Sequence, residues 1–320
     1  KALTRQRAVA LSRTGSGKSL LIYLISMMFV KEKVLIIVPT TSLVEQLYSD
    51  FEDYAKNLKK WNVEDHVHKI YSGHEKETDK DIIITTWQSA VSLKKKWFSR
   101  FSCVICDEAH TAKAKSLSSI MNRCTNAYIR IGTTGTLNGT KIHELALTAL
   151  FGPIFKATTT KDLMDRGVLS QTKIQIIHLA YNVKTAKDFR KNVKSYQEEI
   201  AYITQIEKRN KFICDLAMAQ NKNTLILYNY VETHGKPLYD ILRASNEGTN
   251  REVMFVSGEI KTEDREAIRH AMEEETDAIL VASLGTFSTG INVKNIHNII
   301  FASPTKSQIR VLQSIGRGLR

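Results

Sequence analysis

The chain is poor in the residues that staple small folds or break regular ones, with 4 Cys, 4 Pro and 15 Gly among 320 residues. So few cysteines over this length exclude a disulfide-built scaffold and fit a reducing, cytoplasmic setting. Scarce proline and glycine, beside 42% hydrophobic and 25% charged residues, exclude a low-complexity or disordered chain. Long apolar runs are also missing. The longest, Leu20 to Val30, is about half of what a bilayer span needs, and it reads as a buried helix. No N-terminal leader is expected. The 9 His are scattered, and the Cys103, Cys106 pair has no second pair to complete a metal site, so both read as core cysteines.

What is present is length and positive charge. A chain of 320 residues exceeds what one hydrophobic core usually supports, which predicts two domains. The net charge of +13, carried mostly by the first half, favours a polyanionic partner. No basic amphipathic helix stands out, so nucleic acid is expected rather than a membrane surface. Lys94, Lys95 and Lys96 ahead of Trp97 could form a phosphate-contacting patch with a stacking ring, although a solvated loop is the plainer reading.

Short β-branched runs alternate with helical patterns: Ala8 to Leu11, Val34 to Val38, Ile82 to Thr85, Ser102 to Cys106 and Tyr128 to Gly132. A second series follows at Lys173 to Leu179, Thr224 to Tyr228, Val253 to Val256, Ala278 to Ala282 and Asn298 to Ala302. Alternation of this kind predicts βαβ units, hence an α/β protein with two parallel sheets flanked by helices. The Gly152, Pro153 break and Gly167 place the linker within Phe151 to Ser170, giving domains 1–165 and 166–320. Lys184 to Asn210 reads as helical and free of chemistry.

The first strand runs into Ser12, Arg13, Thr14, Gly15, Ser16, Gly17, Lys18, Ser19 and then an apolar helix, the context a phosphate loop requires. Backbone amides of Thr14 to Ser19 would cradle the phosphates of ATP, Lys18 would reach the outer ones, and Ser19 would ligate Mg²⁺. Ser12 departs from the usual small residue at the first position. The fourth strand ends in Asp107, Glu108, Ala109, His110. Two adjacent acids at the carboxyl end of a parallel strand suit Mg²⁺ binding through water by Asp107 and activation of the attacking water by Glu108. At the far end, Gln313, Gly316, Arg317 and Arg320 fit a QxxGRxxR pattern whose arginines would stabilise charge on the transferred phosphoryl group across a cleft.

In this order the residues resemble superfamily 2 helicases. TGSGKS at Thr14 to Ser19 resembles motif I, VPTTSLVEQ from Val38 motif Ia, and TTWQS from Thr85 the next nucleic-acid-contacting motif. DEAH at Asp107 to His110 resembles motif II, and TGTL from Thr134 motif III. LILYNYVETHG from Leu225, SLGTFSTGINVKN from Ser283 and the closing QSIGRGLR resemble motifs IV, V and VI. Within that group, LIIVPTTSLVEQ, YQEEI before KRNK, and VSGE at Val256 to Glu259 are similar to the UvsW helicases of tailed phages. The resemblance implies two tandem RecA-like domains and an ATP-dependent helicase acting on branched or single-stranded DNA and RNA–DNA hybrids in recombination, replication and repair. It further implies a monomeric motor in the host cell cytoplasm that meets recombination or replication proteins. His110, Gly290 and Gln313 join the nucleotide site by the same resemblance. Thr40, Thr41, Thr86 and Gln88, with Gly258, Thr286 and Asn292, would grip the nucleic-acid backbone, whereas strand-end or helix-cap polarity would also explain the first four. Thr134 and Thr136 would couple the nucleotide state to the domain interface. Family members also carry a domain ahead of the first RecA-like domain and a further strand after motif VI, so both flanks are expected to be missing here.

Three alternatives share these motifs: the motor subunit of a restriction or remodelling complex, an RNA helicase, which GINVKN and the DEAH context disfavour, and an ATP-gated DNA clamp that does not unwind.

Overall fold

The structure, a computed structural model, describes residues 6–12, 15–56, 58, 61–111, 114–137, 141–249, 251–260, 262–290, 293 and 295–318. The chain divides into two compact units, Lys1–Leu169 and Ser170–Arg320.

The first unit is built on seven strands: β1 (Arg7–Leu11), β2 (Val34–Val38), β3 (Val67–Ile70), β4 (Ile82–Thr86), β5 (Cys103–Cys106), β6 (Ile129–Thr134) and β7 (Ile154–Lys156). They form one sheet in the order β3-β4-β2-β5-β6-β1-β7, parallel at every pairing. Parallel neighbours need crossovers, and helices supply them: α1 (Lys18–Met28), α2 (Thr41–Ala55), α3 (Trp87–Val91), α4 (Ala114–Arg123) and α5 (Lys141–Phe151). Because helices cover both faces, β2 reads Val-Leu-Ile-Ile-Val and is buried throughout. Its pleat sends Val34, Ile36 and Val38 to the side of Ile22, Val44 and Phe51, and Leu35 and Ile37 to the side of Leu117, Ile120 and Phe151.

The second unit has β8 (Thr224–Tyr228), β9 (Val253–Val256), β10 (Ile279–Ser283) and β11 (Asn298–Phe301) in the order β11-β8-β10-β9, again parallel. Its helices are α6 (Val183–Asn192), α7 (Tyr196–Thr204), α8 (Glu207–Met218), α9 (Lys236–Ser245), α10 (Thr262–Glu274), α11 (Leu284–Gly290) and α12 (Gln308–Gly318). Leu225 and Leu227 face one core with Leu280, and Ile226 and Tyr228 face the other with Leu238 and Leu242. A π-helical turn, Val231–Gly235, leads into α9. Gly235 is required there, since a Cβ would lie 2.6 Å from the Tyr228 ring.

Several expectations need correction. Residues 173–179 form no strand: they have no regular secondary structure, leave Ile174 and Ile176 exposed, and pair with no strand among the described residues. Alternating apolar residues favour a strand only when a ladder partner completes it. Two strands, β3 and β7, were not anticipated; β7 and a helical turn at Thr160–Asp165 lie within Phe151 to Ser170, the stretch in which the two units divide. β6 continues two residues past Gly132, to Thr134.

Candidate nucleotide site

The sheet order decides what meets. β1, which feeds the Gly-rich turn, and β5, which ends at Asp107, both flank β6, so the Thr133–Thr134 end of β6 lies between them. Ligands of α/β sheets bind at these carboxyl ends.

In the loop, Gly15 and Gly17 have φ of 82° and 83°, left-handed conformations that suit glycine. Gly17 caps α1 with no side-chain hydrogen bond, and no acid occupies the first turn of the helix. These amides therefore face outward with a positive end, which fits a phosphate. Ser12, the departure noted in the motif, is buried and hydrogen-bonds Ser16 through the two hydroxyls. Lys18 Nζ donates to Glu108 Oε1 at 2.8 Å, with both side chains largely covered. Ser19 Oγ lies 2.8 Å from Tyr54 Oη.

Asp107 and Glu108 receive different surroundings. Thr133 Oγ1 donates to Asp107 Oδ1 at 2.5 Å. Burial, and then the Glu108 charge, push the Asp107 carboxyl upward against the pull of Lys18. Burial works on Glu108 as well, but Lys18 and His110 outweigh it and hold that carboxyl well below the usual carboxylate range. Glu108 has φ of 43°, a left-handed backbone for a residue with a side chain. The Gly135 amide donates to Glu108 Oε2 at 3.4 Å, and His110 Nδ1 lies 3.3 Å from the same oxygen.

His110 Nδ1 also sits 2.6 Å from Thr134 Oγ1, whose hydroxyl donates to Thr136 O at 2.7 Å. With its proton committed, Thr134 must accept from the ring, so the network assigns a proton to Nδ1. The structure thus joins Lys18, Glu108, His110, Thr134 and Thr136 in one continuous chain. Thr133 and Tyr54 were missed by sequence reasoning. Thr133 lies next to a recognised motif, whereas nothing local marks Tyr54, which comes from 35 residues away.

The residues expected to grip nucleic acid divide. Thr40 and Thr86 are helix caps, accepting from the Leu43 and Ser89 amides at 3.3 Å each. Thr41 and Gln88 are exposed. Gln88 donates to Pro39 O and borders a cavity of about 380 Å³ shared with Tyr71, His74 and Lys76. In the second unit, Gly258 and Thr286 come together, with a Cβ on the glycine meeting Thr286 Oγ1 at 3.6 Å. Gly290 ends α11, and Gln313 and Arg317 belong to α12, their side chains outside the described residues. Thr14, Asn292 and Arg320 also lie outside the described residues.

Trp97 offers no stacking face. It is buried, donates from Nε1 to Lys76 O at 3.0 Å, and packs on Phe98, Phe101 and Arg100, while Lys94, Lys95 and Lys96 remain exposed. Cys103 and Cys106, three apart on one strand, point to opposite faces and sit in separate cores. Among the described residues there is no cluster of three or more His, Cys, Asp or Glu able to hold a metal ion, and no helix long and apolar enough to cross a membrane.

Comparison with known proteins agrees with this geometry. Residues 3–139 match the family described as type III restriction enzyme, res subunit, and residues 207–320 match the helicase conserved C-terminal domain. With these two matches in order on two parallel-sheet units, the chain belongs to the superfamily 2 helicases. It is similar to the ATP-dependent DNA helicase uvsW of Enterobacteria phage T4, with 37% identity over 328 residues, covering 99% of this chain and 63% of that protein. The chain therefore spans less than two thirds of that relative's length. A fragment of a putative HsdR subunit of a type I restriction enzyme from Vibrio vulnificus YJ016 shares the fold at a TM-score of 0.68 and 18% identity, over 99% of this chain and 57% of its own. The Hef helicase domain of Pyrococcus furiosus does so at a TM-score of 0.59 and 15% identity, over 98% of this chain and 90% of its own.

Proposed function

We propose that the chain is the core of an ATP-dependent DNA helicase or translocase that unwinds or branch-migrates branched DNA and RNA–DNA hybrids in recombination, replication and repair. The observation that carries this reading is the Lys18–Glu108 pair at 2.8 Å, in which a phosphate-loop lysine meets a carboxylate of the strand-end acids. Likeness to a phage DNA helicase across 99% of the chain supports the substrate class.

In this reading Gly15, Ser16, Gly17 and the first amides of α1 hold the ATP phosphates, and Lys18 exchanges Glu108 for phosphate oxygens. Ser19 and Asp107 would hold Mg²⁺, Asp107 through water; the ion supplies neutralisation of phosphate charge. Glu108, held ionised by Lys18 until that exchange and still beside His110 after it, takes the proton of the attacking water. Thr134 and Thr136 pass the state of this acid onward through His110. Arg317 and Arg320, with Gln313 and Gly290 from the same late motifs, complete the charge stabilisation. Thr40, Thr41, Thr86, Gln88, Gly258, Thr286 and Asn292 track the DNA backbone through neutral groups. The motor acts as a monomer in the cytoplasm, alongside recombination or replication proteins.

Lys18→Ala is expected to lower DNA-stimulated ATP hydrolysis by at least about 10²-fold, the scale of losing one preorganised charge-stabilising group, and wild-type turnover in that variant would refute the site. Glu108→Gln should keep DNA binding and lose strand displacement on a forked duplex. Displacement that persists without turnover would instead support the ATP-gated clamp.

A further inference from the structure

Ser19, on the first turn of α1, has its hydroxyl 2.8 Å from the phenol oxygen of Tyr54, on the last turn of α2. The Tyr54 ring is held by packing as well as by this contact. It lies 5.5 Å from Tyr23, which in turn meets Phe51 at 5.0 Å and Trp61 at 5.7 Å. Tyr23 and Phe51 are buried, so this aromatic cluster fixes where the phenol oxygen sits. α2 is also pinned at its other end, where Thr40 caps it immediately after β2.

A hydroxyl has one proton and two lone pairs. To ligate a cation it must aim a lone pair at the ion and deliver its proton to an acceptor elsewhere. An outer partner that takes the proton fixes this orientation and strengthens the ligand. We propose that Tyr54 is a positioning residue for Ser19: its phenol oxygen accepts the Ser19 proton and turns the serine lone pairs toward Mg²⁺. This rests on the reading of Ser19 as a metal ligand given above. It also makes α2, whose first turn carries the nucleic-acid candidates Thr40 and Thr41, the element that sets the geometry of the metal ligand.

The test is nucleotide binding by the full chain, followed by calorimetry with a non-hydrolysable ATP analogue, in EDTA and across a MgCl₂ titration. Tyr54→Phe keeps the ring and its packing and removes only the oxygen. It should bind the analogue in EDTA within about 2-fold of wild type, while the Mg²⁺ midpoint rises by about 10-fold, the lower end of what losing an outer partner of a metal ligand costs. Ser19→Ala should raise the midpoint as well, and adding Tyr54→Phe to it should change nothing further, because both act through one contact. An unchanged or lowered midpoint in Tyr54→Phe overturns the proposal, as does a loss of affinity equal in EDTA and in Mg²⁺. Wild-type chain that binds no nucleotide overturns the nucleotide-site reading itself, a different outcome from a Mg²⁺-responsive wild type whose Tyr54→Phe variant matches it.

Discussion

Asp107 and Glu108 are neighbours at the end of one strand, yet burial raises one while a lysine and a histidine lower the other. Such divergence separates roles between two acids that sequence alone treats alike. A second titrating residue lies away from this chemistry. His234 is fully buried in the π-helical turn, with Nδ1 2.7 Å from Ser303 Oγ and Nε2 without a hydrogen-bond partner among the described residues. Burial, with Arg209 adding to it, lowers its pKa from 6.5 to about 4. The unfolded chain therefore binds a proton that the folded one refuses, and stability present above pH 6.5 is lost as pH falls toward 4. Between pH 7.5 and pH 5 this amounts to about 2 kcal/mol. Urea unfolding at the two values should show that loss, and His234→Gln should remove most of it.

Elements are tied together by residues whose partners lie far along the chain. Asn223, ahead of β8, is fully buried. Its Nδ2 shares its two protons among Met272 O, Glu275 O and Asn295 O at 3.0, 2.7 and 2.9 Å, and its Oδ1 accepts from the Ala278 amide at 2.9 Å. One amide thus fastens the end of α10 and the entries to β10 and β11. Asn223→Ala leaves these groups unpaired in the interior and should cost the second unit about 3 kcal/mol, read as a lower urea midpoint. The strands themselves were uneven in legibility. Val34–Val38 and Thr224–Tyr228 form where their apolar runs predict, being central strands buried on both faces. β3 reads Val-His-Lys-Ile, with two half-covered polar residues, and β7 has three residues; neither carries enough pattern to announce itself. At 173–179 the pattern is present and the partner is not.

At the scale of the molecule, the net charge of +13 and the chemistry of the candidate contacts make a joint statement. Thr40, Thr41, Thr86, Gln88, Gly258, Thr286 and Asn292 are all neutral and release no counterions. Any steep salt dependence of DNA binding must then come from lysines and arginines such as the exposed Lys94, Lys95 and Lys96. We expect log K against log salt to fall with a slope of at least about 3 in magnitude, measured by fluorescence anisotropy on single-stranded DNA. A flat dependence would count against a backbone-tracking motor. The sequence by itself determined which short segments carry chemistry and in what order, because a Gly-rich turn before a helix and acids after an apolar strand are local patterns. Only the tertiary structure decided that Lys18 reaches Glu108, that Thr133 holds Asp107 and that Tyr54 meets Ser19. These contacts depend on β6 standing between β1 and β5 and on α1 packing beside α2, arrangements set by burial across the whole sheet rather than by any one segment.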